Sequence, residues 1–396
     1  AFPGLSVVIG GLEASLRRFA HYDYWEDSVR RSVLFDSKAD CLVYGMGERA
    51  TREVAQILKR GSTDFSKVRG VAWKASDVSA CQFEYEECAS YEEICQDKKA
   101  FAKAVMLQYR EHDPIRGKAV VQQHAKQWLI VNPPAMPLST EELDTVAELP
   151  YTRTWHPMYD PEGCEGAIAE VRFSIIHNRG CFGACNFCAL AFHQGRMVTA
   201  RSEESVLREA QIIIKDPEFK GYIHDVGGPT ANFGHPSCKK QLKQGMCADR
   251  QCLFPSPCPN IDPDHSDYLR LLRKLRELPG VKKVFVRSGI RYDYMLCDHN
   301  GEFFSELTHH HISGQLKVAP EHCSNKALWF MGKPRIEVYE RFMDKYHRLN
   351  QRWEKEQYIV PYLMSSHPGC TLNDAVDLAV YLNKTGRQPE QVQDFY

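Results

Sequence analysis

Phe173-Ser174-Ile175-Ile176-His177-Asn178-Arg179-Gly180-Cys181-Phe182-Gly183-Ala184-Cys185-Asn186-Phe187-Cys188 is an apolar, strand-like run ending in a glycine-containing turn, with three cysteines at C-x3-C-x2-C spacing. Thiolates this close together on one turn can hold three irons of a [4Fe-4S] cube. With no fourth cysteine nearby, one iron stays open to an exogenous ligand. An electron-transfer site would cap all its irons with protein, and a structural zinc site would want four ligands, commonly as two C-x2-C pairs. The stretch therefore reads as a cluster loop built for catalysis.

Downstream, strand and helix patterns alternate. Strands are expected over 171–176, 222–226, 282–287, 315–318, 358–364 and the terminal 391–396. Helices are expected over 203–215, with Ser202 as N-cap, and over 267–278, 303–309, 335–353 and 372–383. Six β/α units predict an α/β fold, a partial (β/α)6 TIM-type barrel, with reactive loops at the carboxyl ends of parallel strands. The cysteines of 181–188 follow the first strand, Gly227-Gly228-Pro229 the second and Ser288-Gly289-Ile290-Arg291 the third. Pro320-Glu321-His322 follows the fourth and Ser365-Ser366-His367-Pro368-Gly369 the fifth. A purely structural barrel has no reason to gather such residues on one rim, so this edge is the expected catalytic face.

Upstream, 5–9 reads as a buried strand turned by Gly10-Gly11 into helix formers over 13–19. Short β-rich runs at 32–35 and 39–45 lead into Gly45-Met46-Gly47-Glu48-Arg49, then a helix through Val54, Ile57 and Leu58 to about Gly61. Residues 1–61 are thus expected to be part of a Rossmann-like α/β domain, and 62–170 an irregular bridge before the barrel of 171–396. In that bridge, 70–73 and 127–131 read as strands, 99–112 as a helix and 132–137 as a proline-rich breaker, after which Ser139 caps a short helix. Cys81, Cys88 and Cys95 would share one side of any helix running through 81–96. Ligands spread over four turns cannot reach one ion, so they read as small apolar packing.

An insertion at 236–260 carries Cys238, Cys247, Cys252 and Cys258 at C-x8-C-x4-C-x5-C spacing among several prolines. A loop with so little core can fold around a second metal or iron-sulfur site, and free or paired thiols are the other reading. His309-His310-His311 ends a predicted helix, where cationic imidazoles suit the dipole.

The chain of 396 residues can bury a substantial core, and a net charge of −1 gives no broad pull toward nucleic acid or anionic lipid. No run approaches the ~20 apolar residues needed to span a bilayer. Fifteen cysteines, an odd number with seven in two metal-like groups, fit a reducing compartment where thiolates stay free, and hence a cytoplasmic location. The chain opens without methionine on an apparent strand and stops on another, as expected of a piece of a longer protein.

The cysteine triplet, with Phe187 before its last member, resembles the signature of radical S-adenosylmethionine (SAM) enzymes. Further stretches resemble the YgiQ-like branch of that family: Arg179-Gly180-Cys181-Phe182-Gly183, Gly195-Arg196, Arg201-Ser202-Glu203, Asp225-Val226-Gly227-Gly228-Pro229-Thr230-Ala231-Asn232 and Ala319-Pro320-Glu321-His322. Upstream, Gly10-Gly11-Leu12-Glu13 and His21-Tyr22-Asp23-Tyr24-Trp25 do so too, so the likeness covers nearly the whole chain. The resemblance implies that SAM chelates the open iron, with Phe187 beside the adenine. Gly227-Gly228-Pro229 would hold the amino group through backbone atoms, with Thr230 in place of the usual acidic residue. SAM carries a carboxylate and a ribose, for which Arg287, Arg291 and Ser288 are candidate partners, while Lys317, Glu321 and His322 would bind SAM or substrate. A low-potential donor, flavodoxin- or ferredoxin-like, would reduce the cluster. SAM would then be cleaved to a 5'-deoxyadenosyl radical that takes hydrogen from an unknown substrate.

The amino-terminal segment is similar to the later half of a cobalamin-binding-type domain but lacks an Asp-x-His-x-x-Gly pattern, so a degenerate domain is expected. Two other readings remain. One is a methylthiotransferase-like enzyme with an auxiliary cluster; the other is a zinc-stapled binding protein without SAM chemistry. Iron content and SAM cleavage separate them.

Overall fold

Val71, Ala72, Leu129 and Ile130 are fully buried β-formers, and they lie in the middle of a six-stranded sheet rather than in a bridge. Its strand order is Val8–Ile9, Cys41–Val43, Val71–Ala75, Gln127–Val131, Ala119–His124 and Tyr85–Cys88. The expected boundary at 61, with an irregular region from 62 to 170, is therefore corrected. The four later strands belong to the same sheet as the two first ones, and two of them make the antiparallel hairpin His124–Gln127 that closes on itself locally. Ala119–His124 and Gln127–Val131 bury consecutive residues, so their runs lack the alternation that marks a strand from sequence, while Tyr85–Cys88 is largely exposed. Cys81, Cys88 and Cys95 fall on a loop, a strand and a helix respectively, not on one helix. The run at 32–35, read as β-rich, forms the short helix Val33–Asp36, started by the Ser32 side chain accepting from Leu34 N.

Only the first two strands of the sheet pair in parallel at this edge, Val8 opposite Cys41 and Ile9 opposite Leu42. Both glycine turns, Gly10-Gly11 and Gly45-Met46-Gly47, thus emerge at the same end. The amphipathic helix Glu48–Lys59 packs Ala50 and Val54 onto Cys41, Val43 and Val71.

The computed structural model describes residues 4–162, 165–386, 388–389 and 392–395. In the carboxyl-terminal half every ladder between the principal strands is parallel. Asp225–Gly227 pairs with Ser174–Ile176, and Tyr222–Ile223 with Lys283–Val284. Tyr358–Ser365 lies between Gln315–Glu321 and Gln393–Asp394. The strand expected over 222–226 is split at His224, each half serving a different neighbour. The terminal strand is reduced to Gln393–Asp394, while Gln391 and Tyr396 lie outside the described residues. The ladders form an open mixed α/β arrangement, and no closed barrel is formed among the described residues.

The helices Glu203–Ile214, Ser266–Glu277, Glu302–His310 and Ile336–Arg352 cover these strands as their spacing predicts, burying Val206, Leu272, Leu307 and Phe342 in one core. Each such side chain adds roughly 1.5–3 kcal/mol of hydrophobic stabilisation. Ser202 caps its helix by accepting from Ser205 N, and Ser139 makes a capping box with Glu142. The histidine run is not the cationic helix end expected from its position. Burial pushes His310 and His311 down to about 4, and His311 Nδ1 lies 2.8 Å from Val284 O. Among the described residues no helix is long and apolar enough to cross a membrane.

Candidate functional site

The cysteine turn is shaped by what it cannot avoid. Gly180 has φ +84°, and a Cβ there would overlap the Met197 carbonyl. Phe182 is fully buried and stacks on Phe233 with ring centroids 3.6 Å apart, pinning the loop from below. Ala184, between the first two cysteines, also lies in the left-handed region, at φ +49°. Asn186 ties the outer limb to the helix Asn325–Met331, donating from its side chain to Phe330 O at 2.8 Å and from its backbone to Met331 O at 3.0 Å.

These anchors turn the three thiols toward one another. Burial raises Cys188 to about 12, with Cys185 and Cys181 close enough to raise it further. Burial likewise raises Cys181, whose sulfur lies 3.4 Å from the Thr230 hydroxyl. Such thiols resist ionising alone, and a bound metal reverses that by taking the place of the proton.

Arg291 reaches this group from the third rim loop, donating from Nη1 to Cys185 Sγ at 3.3 Å. Its other nitrogens grip Asp293 twice, Nε to Oδ1 at 2.8 Å and Nη2 to Oδ2 at 2.6 Å. Burial acts to raise the Asp293 carboxyl, but the Arg291 charge and hydrogen bonds together with the Lys333 charge outweigh it and the net shift is downward. Removing one member of such a buried pair strands the other. Arg291→Met is expected to lower the unfolding free energy by about 3–5 kcal/mol. The double variant Arg291→Met/Asp293→Leu should recover part of that loss in denaturant titrations, and an unchanged midpoint for the single variant would refute the pair's role.

The second rim loop is a cradle of backbone. Cβ atoms at Gly227 and Gly228 would overlap Ser288 Oγ and Asn178 Oδ1 respectively. Asn178 donates to Thr230 O at 3.0 Å and to Phe233 O, while its own Oδ1 is buried with no partner among the described residues. Asp225 organises the neighbouring loop by accepting from Arg287 N at 2.8 Å, Ser288 N at 3.1 Å and the Ser288 hydroxyl.

A cavity of about 910 Å³ opens between this rim and the two glycine turns of the amino-terminal sheet. Gly228, Pro229, Arg287, Ser288 and Lys317 line one side, and Gly10, Gly11, Met46 and Glu48 the other. Glu48 pairs with Arg179 across it and keeps a second, buried oxygen without a partner among the described residues. His193, on the short helix after the cysteines, lies 2.9 Å from Ser15 Oγ and so ties the cluster loop to the amino-terminal sheet.

Not every residue expected on the rim faces this cavity. Phe187 packs beside Leu328, Met331 and Met364, with its ring 6.0 Å from that of His367. Arg287 does line the cavity, but its guanidinium is taken up by Glu170, with which it pairs at 3.2 Å. Glu321, at φ +71°, is buried 3.8 Å from Lys333 Nζ, and burial raises its carboxyl despite that charge. His322 lines a separate small pocket against Tyr339 and Tyr381, and its Nδ1 accepts from Ser324 N at 2.9 Å. Asn178, Asp225, Asp293, Lys333 and Glu48 belong to the neighbourhood without having been singled out. Asp225 did leave a trace in the sequence, as a carboxylate inside an apolar strand.

Residues 1–174 match the family model described as Radical SAM N-terminal. A UPF0313 protein of Clostridium botulinum (strain ATCC 19397 / Type A) is 55% identical over 398 aligned residues, covering 100% of this chain and 62% of its own length. A UPF0313 protein of Clostridium perfringens (strain 13 / Type A) is 52% identical, covering 100% of this chain and 60% of its own length. The chain thus spans about three fifths of the curated relatives it matches. A solved structure of a radical S-adenosylmethionine methyltransferase, TsrM, from Kitasatospora setae with cobalamin and a [4Fe-4S] cluster bound aligns with TM-score 0.49 at 14% identity, covering 98% of this chain and 56% of that one.

Proposed function

We propose, from the premise that this chain belongs to the YgiQ-like UPF0313 family of radical SAM proteins, that it is the catalytic part of an enzyme that cleaves SAM reductively. The observation that carries this reading is the proximity of Cys181 and Cys185 to Cys188 on one turn, next to a glycine cradle whose Gly228 and Pro229 line a 910 Å³ cavity.

The residues present fit the implied groups. Three thiols on one turn match a [4Fe-4S] cluster with one iron left for SAM, and Asn178 Oδ1, unpartnered among the described residues, sits where the cradle lacks side chains. When bound, the cluster and SAM supply one-electron cleavage of the sulfonium. The chain's own part is positioning. Arg291 places a fixed positive charge against Cys185, and Asp293 holds that guanidinium in one orientation. Thr230 places its hydroxyl at Cys181. Gly227 and Gly228 keep the cradle open to a ligand's backbone-sized groups, with Ser288 held beside it by Asp225. Lys317 and Glu48 both line the space left for the substrate, whose identity stays open.

In this reading the parallel ladders are the wall of a partial (β/α)6 barrel and the amino-terminal sheet is its roof. A low-potential flavodoxin- or ferredoxin-like protein supplies the electron, and the enzyme works in the cytoplasm. Anaerobically reconstituted protein is expected to be brown and, once reduced with dithionite, to release 5'-deoxyadenosine and methionine from SAM. Iron-free protein that leaves SAM intact under those conditions overturns the proposal.

A further inference from the structure

We propose that the insertion at 236–260 holds a second iron-sulfur cluster, ligated by Cys238, Cys247, Cys252 and Cys258 and set beside the first cysteine loop.

The segment has little regular structure of its own. Its one helix is the single turn Gln241–Gln244, and it is otherwise held by short turns, by Cys258 N donating to Cys252 O at 2.8 Å and by a closure in which Asp262 N donates to Ser237 O at 2.8 Å. Those turns are built around the cysteines: Gln241 N donates to Cys238 O at 3.2 Å, and Ile261 N to Cys258 O at 3.0 Å. All four thiols are free and half-buried. A loop whose backbone wraps its own sulfurs, with Met246 and Leu253 as its buried apolar anchors, gains further stability from what the sulfurs bind.

Polar groups are already aimed at one of them. The buried Ser237 hydroxyl is 3.2 Å from Cys252 Sγ, and the buried Gln241 amide donates to the same sulfur at 3.8 Å. Hydrogen bonds to sulfur are how a protein tunes and retains a metal-bound thiolate. Cys238 and Cys247 lie within electrostatic reach of Cys252. Cys247 is fixed independently, because Arg196 donates to its carbonyl at 3.2 Å and the buried Asp113 accepts from Met246 N at 2.6 Å.

A cluster and a single ion ask different spacings of their sulfurs. Thiolates closing on one zinc come to within about 4 Å of each other. Among the described residues no group of three or more Cys, His, Asp or Glu forms a site for a single ion. A multi-iron cluster takes its ligands further apart, one on each iron. With every iron capped by protein, such a cluster offers no vertex to a small molecule and carries an electron instead.

Its location suits that use. Gln251 Nε2, next to Cys252, donates to Ala184 O and to Asn186 Oδ1 of the first cysteine turn, both at 2.7 Å. One apolar core contains Cys181, Phe182, Met246 and Leu253, with Cys252 packed against it, so the two cysteine groups share a wall.

The test is iron and acid-labile sulfide in the anaerobically reconstituted full chain. Cys181→Ala/Cys185→Ala/Cys188→Ala should keep about half of the wild-type iron with matching sulfide, and adding Cys238→Ala/Cys252→Ala should remove the rest. Because the triple variant leaves the insertion untouched, it reads the second site even if the fivefold variant does not fold. Zinc without sulfide in the triple variant overturns the proposal, as does folded triple variant without iron, or iron that survives loss of Cys238 and Cys252. Equal iron in wild type and triple variant would instead count against the first cluster and leave this one standing.

Discussion

Cys185→Ala is expected to abolish 5'-deoxyadenosine formation from SAM while leaving the fold intact. Cys185 is half-exposed, so loss of its sulfur removes little packing. The chemical loss is of another order. Two thiols cannot fix a cube in the orientation that presents its open iron to the cavity, and the Arg291 guanidinium would face an empty position. The fall in rate should exceed the about 10–100-fold typical of removing a hydrogen-bond partner of a metal ligand. Product release measured by chromatography, alongside circular dichroism, checks this, with Cys95→Ala as the control. Cys95 is exposed on a helix of the amino-terminal half, and its variant should keep full activity. A Cys185→Ala protein that still cleaves SAM at a wild-type rate would sink the assignment of the catalytic loop.

Gly228→Ala should be nearly as damaging, by steric means. A methyl group there would overlap Asn178 Oδ1, and it would also come within 3.0 Å of the Asn178 carbonyl oxygen. Asn178 cannot retreat, because its amide nitrogen is committed to Thr230 O and Phe233 O, which hold up the loop behind Cys181. Overpacking of this kind costs about 1–3 kcal/mol, roughly 2–4 °C of melting temperature per kcal/mol in a domain of this size class. SAM binding, read by calorimetry on the reconstituted protein, should weaken more than stability alone explains, since the added methyl occupies the cradle. Gly234→Ala meets nothing within 4 Å and should change neither quantity. Full SAM affinity in Gly228→Ala would show that the cradle is a structural turn.

Much of this was legible in the chain. The cysteine spacing, the helix caps at Ser139 and Ser202 and the alternation of helices and strands after residue 171 are local signals, set by neighbours a few positions apart. The strands at 71–75, 85–88, 119–124 and 127–131 were harder to assemble into one sheet. The runs 119–122 and 129–131 are buried without alternation, 85–88 is largely exposed and acidic, and the partners lie as much as about sixty residues away. His322 was placed on the rim by its position after a strand, yet the left-handed turn at Glu321 precedes it and its ring lines a pocket among helices.

By itself the sequence determined which atoms the proposed chemistry falls on, because sulfur ligands on one short turn need only local backbone to come together. Only the tertiary structure decided what surrounds them: the Arg291–Asp293 pair against Cys185, the Asn178 wall behind Gly228, and the cavity closed by Gly10-Gly11 and Gly45-Met46-Gly47 from the far half of the chain. Those contacts join residues far apart in the chain, Asn178 with Gly228 and, 106 positions apart, Cys185 with Arg291. They form because burying the apolar faces of two sheets forces their glycine turns and strand ends together, a consequence of packing that no local pattern encodes.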